Sequence, residues 1–237
     1  MQDLSFLQES EAVYQGHLVY KAGYAHGNLY IDKERLSKLG AIRLCTLMER
    51  VAVNAINSGL MTWDYEEIGI FGPAYGAIAF TLPLAAAFEN IFVRTIKFFP
   101  ARTEVVKKDG RNIHFIPDKL LPMYKGLPFI GIEDIVNNGT TIRETSHLFR
   151  TVADATILAF TSIVDRGGQT AESLGLEQYF PLCRTEMKQH DLRSGRPCPQ
   201  CEAGEPITTH LGKGAEWVAM FGQPPYPPNM NFSRFWA

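Results

Sequence analysis

Short apolar runs alternate with amphipathic stretches along much of the chain. From about residue 35 to residue 165 this alternation predicts strands separated by helices. Apolar residues at helical spacing predict a helix over residues 33–58 and a second one that ends at Phe88. The runs predicted as strands cover residues 68–71, 92–98, 129–132 and 156–164. Strands that alternate with helices predict an α/β fold with a parallel sheet flanked by helices.

The composition indicates a globular chain and excludes several classes of protein. Its 237 residues are 46% hydrophobic and 20% charged, and the net charge is -2, which argues against a general nucleic-acid surface. The longest apolar run, residues 77–88, is interrupted by Thr81 and Pro83 and is shorter than the roughly 20 residues of a membrane span. Residues 1–16 are polar and show no signal peptide, and only four cysteines are present. We therefore expect a cytoplasmic protein without a membrane anchor.

Composition changes along the chain predict three segments. Residues 1–34 form an amino-terminal segment, residues 35–168 carry the alternating pattern, and residues 169–237 form an extension rich in Pro, Gly and Cys with few core signals. The Pro-rich end, residues 224–228, is the sole hint of a protein-binding module.

Two adjacent carboxylates follow the run at residues 129–132. Glu133 and Asp134 lie at the carboxyl end of a predicted strand, where open α/β sheets bind ligands, and such a pair can hold ribose hydroxyls or a metal. Thr141 with Glu144 predicts a capping box and a helix start, whose free N–H groups suit a phosphate monoester. The predicted phosphate loop comprises Asn137, Asn138, Gly139, Thr140 and Thr141.

This motif resembles the PRPP-binding motif of the type I phosphoribosyltransferases, PRPP being 5-phosphoribosyl-1-pyrophosphate. The resemblance implies that the two acids hold the ribose hydroxyls and that the loop holds the 5-phosphate. The two asparagines depart from the threonine-rich family loop. The fold implied is the type I phosphoribosyltransferase fold with a small hood.

Further segments resemble the orotate phosphoribosyltransferase branch. The glycine-bounded turn Gly72-Pro73-Ala74-Tyr75-Gly76 looks like its pyrophosphate loop, and residues 19–32 look like its hood signature. The resemblance implies that Lys21 contacts pyrophosphate or the nucleotide and that Arg166 binds the orotate carboxylate, for which a guanidinium is well shaped. Its loop residues Ala74, Tyr75 and Gly76 would bind substrate.

The segment after Pro100 corresponds to the mobile catalytic loop of that branch. Arg102 matches the family pattern, whereas Thr103 stands where its first lysine is expected. The pattern predicts a hairpin flap around Asp109-Gly110, with Lys107 and Lys108 near its tip. The resemblance implies a cationic group on the pyrophosphate, and which lysine is catalytic stays open.

The cysteines suggest a metal site. Cys198 and Cys201 have the C-x-x-C spacing of a zinc knuckle, with Cys183 upstream and His190 or His210 as the fourth ligand. The set favoured for Zn²⁺ is Cys183, Cys198, Cys201 and His190. Cys45 lies in a helical pattern and is predicted to be buried.

The resemblance covers most of residues 15–206 and implies an enzyme of pyrimidine biosynthesis. It would transfer the phosphoribosyl group of PRPP to a nitrogenous base, orotate being favoured, with Mg²⁺ on the pyrophosphate and a homodimer as the assembly. Two alternatives remain within this fold. The base is a purine or another ring, or the protein is a PRPP- or nucleotide-sensing regulator without turnover.

Overall fold

The structure is a computed structural model that describes most of the chain. The described residues are 11–20, 25–32, 35–36, 38–60, 65–73, 77–92, 95–108, 111–185, 189–194, 197–227 and 230–235. They divide into two compact units. The first comprises Lys33–Glu186, and the second joins Ser5–Asp32 to Met187–Ala237.

The secondary structure alternates as expected through the first unit. In chain order the elements are β1 (Val13–Val19), β2 (Ala25–Ile31), α1 (Ala41–Asn57), β3 (Glu67–Phe71), α2 (Ile78–Ile91), β4 (Lys97–Ala101), β5 (Glu104–Lys108), β6 (Arg111–Phe115), α3 (Leu121–Tyr124), β7 (Pro128–Val136), α4 (Thr140–Val152), β8 (Thr156–Asp165), α5 (Ala171–Leu174), β9 (Tyr179–Arg184), β10 (Gln189–Asp191), α6 (Pro199–Glu202) and α7 (Gly214–Phe221), with 3₁₀ turns at Leu192–Ser194 and Ser233–Phe235.

Five parallel strands form the central sheet of the first unit, in the order β4-β3-β7-β8-β9. Helices α1 and α2 pack together and against strands of this sheet, and α4 contacts β7 and β8. Strand β7 is buried along most of its length, as expected for a parallel strand covered on both faces. The predicted α/β class, a parallel sheet flanked by helices, is therefore confirmed.

Aromatic side chains fill one part of this core. The rings of Phe71 on β3 and Phe149 on α4 lie 4.2 Å apart between centroids, and Phe129 and Phe160 contact the same group. All four side chains are fully buried. Because each such ring removes a large apolar area from water, these contacts fix α4 on the sheet, and the phosphate-loop segment precedes α4 directly.

Several predicted boundaries differ from the structure. Strand β7 runs on through the two acids to Val136, because its ladder with β8 continues to the pair Val136 and Asp165. The strand predicted over residues 92–98 begins only at Lys97. The helix predicted over residues 33–58 is interrupted, since residues 35–36 are helical, residues 38–40 are not, and α1 begins at Ala41. Cys45 on that helix is exposed, so the prediction that it is buried was wrong.

Strand β9 was not predicted, although it completes the sheet. It carries Pro181, which lacks a backbone N–H and interrupts the apolar pattern. Proline is tolerated here because β9 lies at the edge of the sheet. The first unit consequently continues to Glu186, beyond the predicted segment boundary at residue 168.

The predicted flap is present as a separate two-stranded sheet. Strands β5 and β6 pair antiparallel, and the last pair joins Lys108 to Arg111. A two-residue connection is thereby left at Asp109 and Gly110, which lie outside the described residues. The hairpin prediction is confirmed.

The second unit has its own core, which the sequence did not indicate. Strands β1 and β2 form an antiparallel hairpin, and β10 pairs with β2. Its core consists of buried apolar side chains from both ends of the chain: Val19, Leu192, Ile207, Trp217, Phe221 and Phe232. Trp217 on α7 is fully buried. None of the described helices combines the length and apolar character required for a membrane crossing.

Candidate functional site

Several described residues of the predicted site lie at one edge of the five-stranded sheet. Gly72 follows β3, Arg102 follows β4, and Arg166 follows β8. Glu133 and Asp134 lie near the carboxyl end of β7. Because all five strands are parallel, these strand ends share the carboxyl edge, which is the usual ligand-binding edge of an open α/β sheet.

The acidic pair combines a buried carboxylate with a half-buried one. The Asp134 side chain is only 4% exposed, and its Oδ1 accepts the backbone N–H of Ile135 at 2.7 Å. Its Oδ2 is also buried and has no hydrogen-bond partner among the described residues. A buried carboxylate oxygen without a donor is unfavourable. This atom therefore suits a ligand that supplies a hydroxyl or a cation.

The loop after β7 differs from the prediction in its helix cap. Helix α4 begins at Thr140, with Gly139 as the N-cap at φ 70°, and no side chain caps it. The predicted capping box between Thr141 and Glu144 was therefore wrong, because the N-cap is Gly139, two residues before Thr141. Asn138 Oδ1 instead accepts the Thr140 N–H at 3.2 Å. With no side chain at the N-cap, the first turn of α4 offers backbone donors to an anion.

Two side chains donate hydrogen bonds to backbone carbonyl groups of this loop. The Asn138 carbonyl accepts Arg143 Nη2 at 2.8 Å, and the Asn137 carbonyl accepts Gln169 Nε2 at 3.1 Å. A trans peptide directs its N–H away from its C=O. The N–H groups of Asn138 and Gly139 consequently point away from Arg143 and Gln169, as an anion-binding turn requires. Neither contact was predicted: Gln169 is 32 residues from Asn137, and Arg143, although only five residues after Asn138, was not singled out.

The cations expected on the pyrophosphate lie on and before the flap. Arg102 is exposed and pairs with Glu104 at 2.8 Å, while its backbone N–H donates to the Tyr124 hydroxyl at 2.8 Å. Lys107 and Lys108 are exposed on β5, near the tip of the hairpin. Thr103 is buried and donates to the Gly72 carbonyl at 3.1 Å, so it links the flap base to the end of β3.

Of the five predicted substrate residues outside the phosphate loop, Arg166 is the one that the structure describes. Arg166 is half-buried, and its backbone N–H donates to the Val136 carbonyl at 2.9 Å, so its backbone is fixed beside the end of β7. The other four residues, Lys21, Ala74, Tyr75 and Gly76, lie outside the described residues.

Four buried side chains of the second unit meet in a cluster that we call the His/Cys cluster. It comprises His17 on β1, His26 on β2, and Cys198 and Cys201 at α6. One ligand atom from each side chain lies within 4.8 Å of all the others. Such a group can hold a metal ion.

The cluster contains two of the four predicted metal ligands. Cys198 and Cys201 are in the cluster together with His17 and His26, whereas Cys183 and His190 are not part of it. Cys183 lies on β9 in the first unit, where its thiol donates to the Ile163 carbonyl at 3.2 Å. His190 lies opposite His26 in the β10–β2 ladder and flanks the cluster. Sequence spacing could not reveal the two histidines, since they are more than 170 residues from the cysteines.

The side chains of the cluster alter one another's ionisation. The hydrogen bond from Cys201, helped by bonds to both histidines, lowers the pKa of the Cys198 thiol. The same thiol contact raises the pKa of Cys201. Burial lowers the pKa of His26; burial also acts downward on His17, but hydrogen bonds to Cys198 and to the Glu205 carbonyl leave the His17 pKa raised.

Comparison with solved structures identifies the fold. No protein-family model matches the chain. In structure it is similar to the orotate phosphoribosyltransferase of Francisella tularensis, with TM-score 0.53 and 16% identity over 76% of this chain and 84% of that one. It is also similar to the adenine phosphoribosyltransferase of Saccharomyces cerevisiae, with TM-score 0.50 and 18% identity over 76% of this chain and 100% of that one. The fold is therefore that of the type I phosphoribosyltransferases.

Similarity in sequence is more specific. The chain is 25% identical to the orotate phosphoribosyltransferase of Bifidobacterium animalis subsp. lactis over 231 residues, which are 92% of this chain and 95% of that enzyme. This relative confirms the resemblance to the orotate branch and supports the prediction of a phosphoribosyltransferase.

Proposed function

We propose that the protein transfers the phosphoribosyl group of PRPP to orotate, forming orotidine 5-monophosphate and pyrophosphate. The observation that carries the proposal is the buried Asp134 carboxylate, whose Oδ2 lacks a partner among the described residues. The loop that follows has its backbone carbonyls bonded to Arg143 and Gln169, which leaves its N–H groups directed to the other side. A carboxylate beside an anion-binding turn matches the hydroxyls and phosphate of a phosphorylated ribose. The similarity to an orotate phosphoribosyltransferase over most of the chain supports orotate as the base.

The phosphate loop would anchor the sugar at its 5-phosphate. The N–H groups of Asn138 and Gly139, together with the uncapped start of α4, supply donors and the positive end of a helix dipole. Thr140 and Thr141 add hydroxyl groups. Binding energy from this remote phosphate would hold the reacting carbon in line with the base.

The acidic pair would act on the ribose. Asp134 Oδ2 and the Glu133 carboxylate would accept hydrogen bonds from ribose hydroxyls, which fixes the ring. As pyrophosphate leaves, positive charge develops at the anomeric carbon, and nearby negative side chains favour it. Carboxylate oxygens also suit Mg²⁺, which Asp134 and Glu133 would help to hold and which would neutralise charge on the pyrophosphate.

Cations of the flap would neutralise the leaving group. Arg102, Lys107 and Lys108 carry the positive charges, and closure of the hairpin formed by β5 and β6 would bring them over the pyrophosphate and exclude water. Lys21 with Ala74, Tyr75 and Gly76 would complete the pyrophosphate site. Arg166 would bind the orotate carboxylate through two parallel, charge-assisted hydrogen bonds, and a neutral purine offers no such negative charge.

A base panel tests the proposal directly. The purified protein is incubated with Mg²⁺, PRPP and one base at a time (orotate, uracil, adenine, guanine or hypoxanthine), and both pyrophosphate and nucleotide are measured. We expect both products with orotate alone. Formation of a purine nucleotide would identify a purine, and not orotate, as the substrate. Binding of PRPP in a calorimeter without release of pyrophosphate would identify a regulator.

The substitution Asp134→Asn tests the carrying observation. It keeps the shape of the side chain but removes the negative charge, and we expect kcat/KM to fall by about a hundred-fold or more. Asp118→Asn, at an exposed position before α3, is the matched control and should retain turnover. Equal turnover in the two variants, with unchanged unfolding temperatures, would contradict the assignment. The homodimer implied by the resemblance stays a prediction, which sedimentation of the purified protein would check.

A further inference from the structure

The four ligand atoms of the His/Cys cluster lie at the corners of a tetrahedron. His17 Nε2 and His26 Nδ1 are 2.9 Å apart, and the two sulfurs are 3.4 Å apart. The four sulfur-to-nitrogen distances are 3.3, 3.6, 3.5 and 3.4 Å. The centre of a tetrahedron with such edges lies about 2 Å from each corner, close to zinc–nitrogen and zinc–sulfur bond lengths of about 2.0 to 2.3 Å.

The surroundings of the cluster are those of ligands held in place by other groups. His17 Nδ1, the nitrogen that does not face the cluster, lies 2.7 Å from the Glu205 carbonyl, which fixes the ring when this nitrogen donates. The Cys198 sulfur accepts the Cys201 backbone N–H at 3.3 Å. The ring of His26 packs edge-on against Trp217, with 4.6 Å between centroids. His17, Cys198 and His26 thus each contact a group outside the tetrahedron that helps to set their orientation.

Burial favours a bound cation over four packed neutral groups. His26 is completely buried, and His17, Cys198 and Cys201 are at most 2% exposed. The two sulfurs and the two facing imidazole nitrogens converge on one point, with 2.9 to 3.6 Å between them. A metal ion satisfies all four at once and compensates the charge of the thiolates. Both cysteines are free thiols, so no disulfide links them.

We propose that His17, His26, Cys198 and Cys201 bind one Zn²⁺ ion as a closed structural site. Two thiolates and two imidazoles in a tetrahedral arrangement select zinc, and four protein ligands leave no open position for substrate. The ion joins the β1–β2 hairpin to the carboxy-terminal segment at α6. Its role is to hold together the second unit, whose two pieces are separated by the whole first unit in sequence.

The metal content of the full-length protein tests the proposal. The protein is purified under reducing conditions without chelator or nickel resin, dialysed, and measured by elemental mass spectrometry. We expect one zinc per chain. Cys198→Ser and His26→Gln should lose the metal, whereas the controls Cys183→Ala, His190→Gln and Cys45→Ser should retain it. Zinc lost with Cys183→Ala and His190→Gln but retained with His26→Gln would overturn the ligand set.

A second measurement uses the unaltered chain, so its result does not depend on whether the variants fold. Replacement of zinc by Co²⁺ should give the strong visible absorption of a tetrahedral ion and a thiolate-to-cobalt charge-transfer band. Removal of the metal by a chelator should accelerate hydrogen exchange of the hairpin amides in β1 and β2, while amides of β7 and β8 remain protected. A metal-free, reduced protein with equally protected hairpin amides would overturn the proposal. Neither readout depends on phosphoribosyl transfer, so the two proposals fail independently.

Discussion

Burial has opposite consequences at two side chains of the first unit. Asp134 is almost fully buried, yet its Oδ2 has no partner among the described residues, which suits a ligand. Cys183 is fully buried and its thiol donates to the Ile163 carbonyl, so its hydrogen-bonding capacity is used within the core. The difference between a candidate ligand-binding group and a structural one therefore lies in the partners of each side chain and not in its exposure.

Thiol reactivity should distinguish the cysteines. Burial raises the pKa of the Cys183 thiol to about 12, so at pH 8 almost no thiolate is present, and the thiolate is the nucleophile. Cys45 is exposed on α1. We expect iodoacetamide to label Cys45 quickly in the native protein and Cys183 only after denaturation, as peptide mass mapping would record. Native labelling of Cys183 at the rate of Cys45 would contradict its place in the core.

The connection from β7 to α4 is the element on which the proposed site depends most. Its N-cap, Gly139, has a left-handed backbone at φ 70°, and a Cβ there would meet Leu174 on α5. Glycine is the residue that adopts this conformation without steric cost. The loop conformation is thus set by backbone geometry and by Arg143 and Gln169, which hold its carbonyls.

Gly139→Ala should therefore disturb the phosphate loop. We expect KM for PRPP to rise about ten-fold and the free energy of unfolding to fall by about 1 to 2 kcal/mol, because the added methyl group strains the backbone and displaces Leu174. Gly126→Ala is the matched control: its φ is 74°, but a Cβ there has no neighbour within 4 Å, and it precedes β7 at the other end of the strand. Steady-state kinetics and thermal unfolding provide the comparison. An equal rise in KM for both variants would argue against a role of the loop in binding PRPP.

At the scale of the whole molecule, the chain builds its second unit from its two ends. The hairpin of β1 and β2 contributes Val19 to a core whose largest member is Trp217 on α7. A two-stranded hairpin by itself is marginally stable in water. The amino-terminal segment consequently needs the carboxy-terminal extension in order to fold.

Truncation after Glu186 tests this dependence. It removes β10, α6 and α7, and with them the apolar side chains that cover the hairpin. We expect amides of β1 and β2 to exchange at rates of an unfolded chain, while those of β3, β7 and β8 keep their protection, because the five-stranded sheet is retained. Hydrogen-exchange mass spectrometry measures both regions in one experiment. Full protection of the hairpin in the truncated chain would show that the extension is not required.

The sequence by itself determined the features that local patterns encode. The alternation of apolar runs predicted the parallel sheet, the adjacent Glu133 and Asp134 marked its carboxyl edge, and the Asp-Gly turn marked the flap. Each depends on residues close together in the chain, where periodicity and turn chemistry act.

Only the tertiary structure decided which distant residues meet. It placed β9 at the edge of the sheet despite Pro181, brought Gln169 to a carbonyl of the phosphate loop, and joined His17 and His26 to the two cysteines. These contacts depend on strand order and on packing between separate segments. Local propensity contains no information on such pairing. Spacing along the chain therefore suggested Cys183 and His190 as metal ligands, whereas the fold places His17 and His26, from the amino-terminal part of the chain, beside the two cysteines.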